Sequence, residues 1–276
     1  MTALRVLRAG PRTTLQDGGR DMLAHLGVPR AGAVDRRAMH QVNSAVGNSP
    51  TATVLESTLG GDELEADADM VVGVGGAAAE QVVRLRMGER LRIPRAEGGV
   101  YVYVAVAGGF DVAPVLGSRS RDTLSGLGPA PLQPGDVLTV GALSAPPPDV
   151  APMRDDAVGE RVPVFSGPHL GLVGRQLFAE FLSAQWTVTP AADRVAIRLS
   201  GPRLRPQVDG IDSEGVVPGA VQLPPDGQPV VLLANHPPTG GYPLIAVVAF
   251  AALPAVAQSR PGARLRFVEA AQPRYR

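Results

Sequence analysis

The sequence contains no lysine and no cysteine, and each absence limits its chemistry. All 26 basic residues are arginines, so a lysine Schiff base and a Walker-type lysine are excluded from this chain. Without cysteine, a disulfide, a thiolate nucleophile and a cysteine-based zinc site are excluded as well. The lack of cysteine fits a cytoplasmic protein, and we expect that location.

The chain also lacks an excess of either charge and a long hydrophobic segment. The 26 basic residues balance 26 acidic ones, so there is no overall attraction to nucleic acid or to an anionic membrane. The longest apolar stretch, residues 244–256, is too short for a membrane-spanning helix, which needs about 20 residues. The first residues show no apolar segment typical of a signal peptide. We therefore expect no nucleic-acid partner and no membrane partner.

Glycine and proline are abundant, at 33 and 27 residues, while hydrophobic residues make up 45% of the chain. This combination predicts a mainly β protein in which many turns separate short strands, with a few helices. The run Val100–Ala107 has β-forming residues on both faces and predicts a central strand. Two segments have the periodicity of amphipathic helices. They are residues 35–47, with Asp35 as the predicted N-cap, and residues 169–185.

We expect two β-rich lobes, residues 1–145 and residues 161–276, joined by a proline-rich linker at residues 146–160. The linker is predicted from its prolines and acidic residues, which follow no apolar period. A Pro-Gly turn followed by an alternating strand begins at Gly135 and again at Gly262. Because one copy falls in each half, the pattern indicates two similar β lobes.

Standard catalytic motifs are absent: the sequence contains no HExxH, no GxSxG and no P-loop. The histidines are far apart, and no pair has the spacing of metal ligands, so we predict no metal site. These histidines are His25, His40, His169 and His236.

Polar residues concentrate in four loops, which predict a binding surface for a small polar substrate. In the first loop, Gln16, Asp17 and Arg20 can hold a carboxylate or an amide. In the second, residues 117–123, arginines and hydroxyls suit an anionic group. The alternative for the first loop is that Asp17 and Arg20 pair with each other and stabilise a turn. The alternative for the second loop is a solvated hairpin.

The third loop region, residues 213–222, includes Gln222, an amide in apolar strand surroundings where it needs partners. The fourth is the loop Asn235–Pro243, NHPPTGGYP, between two apolar runs that predict strands, residues 229–234 and residues 244–252. Its prolines fix φ and its paired glycines allow unusual φ values. The loop can therefore direct hydroxyls, an imidazole and backbone N–H groups toward a ligand, with a tight hairpin turn as the alternative.

In their order along the chain, these loops resemble the carboxyltransferase domain family, also called the allophanate hydrolase subunit 2 family. The resemblance spans nearly the whole chain. It is carried by GPRTTLQDGGR (10–20), GVPRAGAVD (27–35), GSRSRDT (117–123), QPGDVL (133–138), DRVAIRLSGP (193–202), SEGVVPGAVQLPPDGQPVVLLA (213–234), TGGYP (239–243) and AQSRPGARLRF (257–267). The sequence departs from the family pattern at Asn235, where the family usually has aspartate.

The resemblance implies a two-lobed protein with a cyclophilin-like β-barrel architecture. It implies the C subunit of an ATP-dependent 5-oxoprolinase-type complex, which opens 5-oxo-L-proline to L-glutamate. The partner would be similar to allophanate hydrolase subunit 1, and a third oxoprolinase subunit would complete the hetero-oligomer. One alternative is a biotin-dependent carboxyltransferase acting on urea or a related amide, with biotin carried on another protein because this chain has no lysine. The other alternative is a non-catalytic regulator that binds a kinase-inhibitor protein.

The leading interpretation assigns roles to eight residues. The predicted catalytic residues are Asp17, Arg20 and Gln222. The predicted substrate-binding residues are Gln16, Arg119, Asn235, Thr239 and Tyr242. The arginines would hold anionic groups, the glutamines and the threonine would bond the amide, and the tyrosine would line the pocket. The aspartate would orient Arg20 or act as a base.

Overall fold

A computed structural model of the chain describes residues 2–142 and 161–271. The described residues form short strands, four short α-helices and two 3-10 turns. This confirms the prediction of a mainly β protein with a few helices. The predicted linker, residues 146–160, lies outside the described residues.

The chain divides into two compact units, and each consists of two pieces of sequence. The first unit comprises Met1–Met22 and Arg30–Asp155, and the second comprises Leu23–Pro29 and Asp156–Arg276. The short piece of the second unit contains the 3-10 turn Ala24–Leu26. Nothing in the composition of this piece signals that it belongs with residues so distant in sequence.

In its described residues, 2–22 and 30–142, the first unit has two antiparallel sheets and one helix. The strands are β1 (Ala3–Arg8), β2 (Arg12–Gln16), β3 (Val54–Thr58), β4 (Glu63–Ala66), β5 (Met70–Gly76), β6 (Gln81–Leu85), β7 (Arg90–Arg92), β8 (Tyr101–Val106) and β9 (Val137–Thr139), and the helix is α1 (Arg36–Ala45). One sheet has the order β7-β4-β1-β9, and the other has the order β2-β3-β8-β5-β6.

Strand β8 is the middle strand of its sheet, and all of its residues are buried. The predicted central strand is thereby confirmed. Its valines pack into the core of the first unit, while α1 covers the other face of β5 and β8. A Cβ on Gly73 would lie 3.0 Å from the carbonyl oxygen of Val42. The glycine therefore permits the close approach of the helix to the sheet.

Helix α1 begins as predicted from the sequence. The Asp35 side chain accepts a hydrogen bond from the Ala38 N–H at 2.9 Å, which satisfies one of the free donors at the helix start. Ala38, Met39 and Val42 are buried on the side that faces the sheet. The predicted helix and its N-cap are confirmed.

The second unit contains a closed barrel. Its strands are β10 (Arg161–Ser166), β11 (Trp186–Ala192), β12 (Ala196–Ser200), β13 (Glu214–Gly215), β14 (Ala220–Gln222), β15 (Val230–Leu232), β16 (Thr239–Gly240), β17 (Leu244–Val248) and β18 (Arg264–Glu269). Seven of them close in the order β10-β17-β14-β15-β12-β11-β18, while β13 and β16 form a separate two-stranded ribbon. Parallel pairing of β10 with β18 closes the ring. The predicted β-barrel is confirmed.

Residues 169–185, predicted as one helix, form two helices, α2 (Leu170–Val173) and α3 (Arg175–Ser183). The single-helix prediction is wrong because Gly174 has a φ of 85° and a ψ of 147°, which interrupts the helical backbone. Phe181 of α3 stacks on Phe267, with ring centroids 4.7 Å apart. This contact anchors the second helix on the barrel.

The apolar run at residues 244–252 was also predicted incorrectly in part. It is a strand only over β17, and it continues as a 3-10 turn, Phe250–Ala252, and as helix α4, Leu253–Ala257. The strand ends at Val248, and Pro254 lies in the first turn of α4, a position that proline favours. Apolar composition alone did not distinguish the two structures.

Candidate functional site

The predicted site residues fall into two groups, one in each unit. The first unit contains Gln16, Asp17, Arg20 and Arg119, and the second contains Gln222, Asn235, Thr239 and Tyr242. Their catalytic and binding roles stay predictions, and the surroundings of the two groups differ.

In the first unit, the buried carboxylate of Asp17 holds the loop at residues 117–123. Its Oδ1 accepts hydrogen bonds from Ser118 Oγ at 2.6 Å and Ser120 Oγ at 2.5 Å. Its Oδ2 accepts from the Arg119 N–H at 2.6 Å. These donors, together with the N–H of a nearby glycine, use the carboxylate as an anchor between two loops.

Arg20 reaches the same loop and is only 2% exposed. Its Nε donates to the Val115 carbonyl at 3.0 Å, and its Nη2 donates to the Ser120 carbonyl at 2.7 Å. Burial lowers the pKa of Arg20, while the nearby carboxylates of Asp17 and Asp122 oppose this effect. Its Nη1 is buried and has no hydrogen-bond partner among the described residues. This donor is therefore available to an acceptor that is not part of the described chain.

Gln16 supplies the complementary atom. Its Nε2 donates to Thr14 Oγ1 at 2.9 Å and to the Arg121 carbonyl at 3.1 Å. Its Oε1 is buried, and within residues 2–142 and 161–271 it has no partner. Gln16 and Arg20 contact consecutive carbonyls of one loop, those of Arg121 and Ser120. At this pair of loops, Gln16 Oε1 is therefore an acceptor and Arg20 Nη1 a donor without a partner in the described chain.

The arginines of the second loop are engaged with the main chain. Arg119 Nε donates to the Val112 carbonyl at 2.5 Å, and Arg121 Nη1 donates to the Gly126 carbonyl at 2.6 Å. Both side chains therefore help to shape the loop, in addition to any role in holding an anion.

In the second unit, Asn235 lies inside the protein. Its Oδ1 accepts from Arg194 Nε at 3.0 Å, and its N–H donates to the Arg194 carbonyl at 2.9 Å. Asn235 and Arg194 are both buried. The position that departs from the family pattern therefore fixes the chain where the NHPPTGGYP loop leaves β15.

His236 adds a buried acceptor to this loop. Its Nδ1 lies 2.7 Å from the Pro237 carbonyl oxygen, and a carbonyl only accepts, so the ring proton is on Nδ1. Its Nε2 is buried with no partner in the part of the chain that the structure describes. Burial also lowers the pKa of His236, although the hydrogen bond to Pro237 acts in the opposite direction. Sequence reasoning anticipated an imidazole in this loop but assigned it no role.

Gln222 lies in β14 and is 8% exposed, so the buried strand environment predicted for it is confirmed. Its Nε2 has no partner among the described residues. It packs on Gly240, where an added Cβ would lie 2.2 Å from this nitrogen. Thr239 and Tyr242, on either side of the paired glycines, are exposed. The fold thus brings Gln222 to the predicted loop.

A histidine–glutamate pair beside the loop was missed in the sequence. His169 Nδ1 accepts from the Leu244 N–H at 3.0 Å, and its Nε2 lies 3.4 Å from Glu214 Oε2. Glu214 is paired with Gly240 in the β13–β16 ribbon. The sequence signals were only one of four scattered histidines and one acid in a turn-rich region, and strand pairing brings them together.

The described ranges, residues 2–142 and 161–271, bear on two other kinds of site, a metal site and a membrane span. They contain no group of three histidine, cysteine, aspartate or glutamate side chains that could hold a metal ion. No helix within them is long and apolar enough to cross a membrane.

A family model described as "Carboxyltransferase domain, subdomain A and B" matches residues 26–269. The C subunit of the 5-oxoprolinase of Escherichia coli is 35% identical over 281 aligned positions, which cover 96% of this chain and 91% of that protein. The similarity therefore extends over both units.

Two solved structures are also similar to this chain. The structure of TTHA0988 has a TM-score of 0.86 at 35% identity and covers 97% of this chain. The urea carboxylase of Kluyveromyces lactis has a TM-score of 0.88 at 28% identity and covers 98%. This chain spans 56% of the first of those chains and 27% of the second.

Proposed function

Because the chain belongs to the carboxyltransferase domain family, we propose that it is the C subunit of an ATP-dependent 5-oxoprolinase-type complex in the cytoplasm. The complex would open the amide of 5-oxo-L-proline to give L-glutamate. It would contain a partner similar to allophanate hydrolase subunit 1 and a third oxoprolinase subunit. The observation that carries the proposal is the similarity to the Escherichia coli protein over most of both chains.

The polar atoms without partners have the chemistry that an amide requires. Arg20 Nη1 and Gln222 Nε2 are buried donors, whereas Gln16 Oε1 and His236 Nε2 are buried acceptors. Buried polar groups in folded proteins are normally paired, and an amide offers a carbonyl to a donor and an N–H to an acceptor. Within the second unit, Gln222 Nε2 can donate to the carbonyl of an amide and His236 Nε2 can accept its N–H, which supports an amide substrate.

ATP use is proposed for the complex and rests on the family resemblance. The arginines of the loop at residues 117–123, Arg119 and Arg121, donate to main-chain carbonyls, and the chain has no lysine. In the described residues these side chains do not form a cradle for a triphosphate. No step in this chain is therefore assigned to the nucleotide.

A biotin-dependent carboxyltransferase is the second candidate. It is favoured by the similarity to urea carboxylase, which extends over nearly all of this chain. Biotin would arrive on another protein, since the absence of lysine excludes a biotinyl-lysine here. The substrate would be urea or a related amide, so the same unpaired donors and acceptors would serve both candidates.

The test is to co-express the chain with its partner subunits and to measure ATP-dependent release of glutamate from 5-oxo-L-proline. We expect release by the full complex and none from the same complex without this chain. A well-folded complete complex that releases no glutamate would overturn the proposal. Biotin-dependent carboxylation of urea by the same preparation would establish the second candidate instead.

A further inference from the structure

Side chains from two distant parts of the second unit meet at the β13–β16 ribbon. Glu214 lies directly opposite Gly240, and opposite residues of an antiparallel pair direct their side chains to the same face. The Gln222 amide fills the space where Gly240 has no side chain, since a Cβ there would lie 2.2 Å from its Nε2. Opposite Cβ atoms are about 4.5–5.5 Å apart. The Glu214 side chain and the Gln222 amide therefore lie on one face, as neighbours.

His169 fixes the position of the Glu214 carboxylate on this face. Because its Nδ1 accepts the Leu244 N–H, the ring proton of the neutral imidazole is on Nε2. That nitrogen is 3.4 Å from Glu214 Oε2, so the imidazole and the carboxylate are in contact. Leu244 is itself paired with Gln222 between β17 and β14. One short piece of backbone thus holds both His169 and Gln222 in place.

The two ends of this cluster differ in access. Gln222 Nε2 is buried and lacks a partner in the described chain, so it is a donor without an acceptor. The Glu214 side chain keeps 38% of its surface exposed, so a ligand can reach the carboxylate from solvent. A donor inside and an acceptor at the rim match the two ends of an amide group.

We propose that Glu214 and Gln222 form a binding site for a small amide of the lactam or urea class, with His169 as a positioning residue. The Glu214 carboxylate accepts the amide N–H, and Gln222 Nε2 donates to the amide carbonyl oxygen. The nature of the ligand rests on the proposed function, whereas the site itself rests on the geometry of the second unit. The leading interpretation of the sequence gave Gln222 a role at the amide but gave none to Glu214 or His169.

Gly240→Ala tests the contribution of Gln222. Its methyl group displaces the Gln222 amide, which is the mobile end of a side chain. Gly215→Ala in the facing strand is the matched control, because a Cβ there meets nothing within 4 Å. In titrations of the full chain with 5-oxo-L-proline, 2-pyrrolidone and urea, we expect Gly240→Ala to weaken binding about tenfold and Gly215→Ala to change it less than about twofold. Equal affinities of the two variants would contradict the proposal.

Two substitutions of His169 separate its positioning role from a structural one. His169→Asn keeps an acceptor for the Leu244 N–H but loses the donor to Glu214, so we expect a normal melting temperature and weaker amide binding. His169→Gln can keep the donor but loses the acceptor, so we expect a lower melting temperature with binding better preserved. If binding follows the melting temperature in both variants, His169 has only a structural role.

Glu214→Gln removes the charge at the rim, and Glu180→Gln on the exposed side of α3 is its control. We expect about a tenfold loss of amide affinity for the first and no change for the second. A wild-type chain that binds none of the three amides would overturn the site. Amide binding that Gly240→Ala weakens, without glutamate release by the complex, would sustain the site and overturn the proposed function. Glutamate release by the complex, together with an unchanged amide affinity of Gly240→Ala, would overturn the site and sustain the proposed function.

Discussion

Two polar regions of this protein look alike in sequence but use their polar atoms differently. In the first unit, Asp17 accepts hydrogen bonds from the loop at residues 117–123, and Arg119 of that loop donates to the Val112 carbonyl. At the β13–β16 ribbon of the second unit, Gln222 Nε2 is left without a partner among the described residues. The difference teaches that a dense polar loop can be a clamp or a binding surface. Each region keeps a buried donor without a partner in the described ranges, Arg20 Nη1 in the first and Gln222 Nε2 in the second. The carboxylates distinguish the two regions, because Asp17 is buried and accepts from the loop, whereas the Glu214 side chain is 38% exposed.

The largest effect that this comparison predicts is on stability, where Asp17 holds the loop at residues 117–123. Asp17→Ala leaves the hydroxyls of Ser118 and Ser120 and the Arg119 N–H without their shared acceptor, so we expect a loss of about 3 kcal/mol or more in the free energy of unfolding. Asp21→Ala, which removes an exposed partner of Arg30, is expected to cost less than about 1 kcal/mol. Urea unfolding of both variants measures the difference. Equal stabilities would show that Asp17 is not an anchor and would revive its predicted role as a base.

Substitutions of Asn235 test whether part of the second region also holds the chain in place. Asn235→Ala removes the acceptor of the buried Arg194 Nε, so we expect a loss of about 2 kcal/mol in the free energy of unfolding. Asn235→Asp keeps an acceptor for Arg194 and is expected to remain within about 1 kcal/mol of the wild type. Denaturant unfolding measures both variants. An alanine variant as stable as the aspartate variant would remove the structural role assigned to Asn235.

The buried His236 makes the stability of the second unit depend on pH. Burial lowers its pKa in the folded state below the ordinary value of about 6.5. The unfolded chain therefore binds the proton first, and stability falls as pH drops below about 6.5, by at most about 1.4 kcal/mol per pH unit for this group.

We expect His236→Asn to make the fall in stability shallower, because asparagine can still donate to the Pro237 carbonyl but does not titrate. Burial also lowers the pKa of His40, so protonation of His40 acts on stability in the same direction. A substitution of His40 therefore serves as the comparison. Unfolding free energies measured between pH 5.5 and pH 7 provide the test. A His236→Asn slope equal to that of the wild type would contradict this account of the buried imidazole.

The smallest expected effect is at Tyr242, which is 42% exposed. Tyr242→Phe is expected to change the free energy of unfolding by less than about 0.5 kcal/mol. If the tyrosine lines the ligand site as predicted, the same variant should alter amide affinity by about threefold. Unchanged affinity in a titration would remove Tyr242 from the binding surface.

Local chemistry made several elements predictable. The N-cap at Asp35, the buried strand β8 and the buried strand position of Gln222 each follow from a few neighbouring residues. The break at Gly174 and the helical end of the 244–252 run were missed, because apolar periodicity outweighed a single glycine and a single proline.

The histidine–glutamate pair was beyond prediction for a different reason. His169 and Glu214 meet because His169 is hydrogen-bonded to Leu244 at the start of β17, while β16, just before it in the chain, pairs with β13. A single sequence does not specify the partner and register of such short strands, which depend on packing throughout the barrel. The loop NHPPTGGYP could therefore be recognised as a binding candidate, while the acid beside it could not.

The most direct test of the account compares glutamate release by complexes that contain the wild-type chain, Gly215→Ala or Gly240→Ala. The account predicts ATP-dependent release of glutamate from 5-oxo-L-proline by the first two and a loss of about tenfold in kcat/KM for the third. Release by Gly240→Ala at the rate of Gly215→Ala would contradict the claim that the ribbon of the second unit binds the substrate amide.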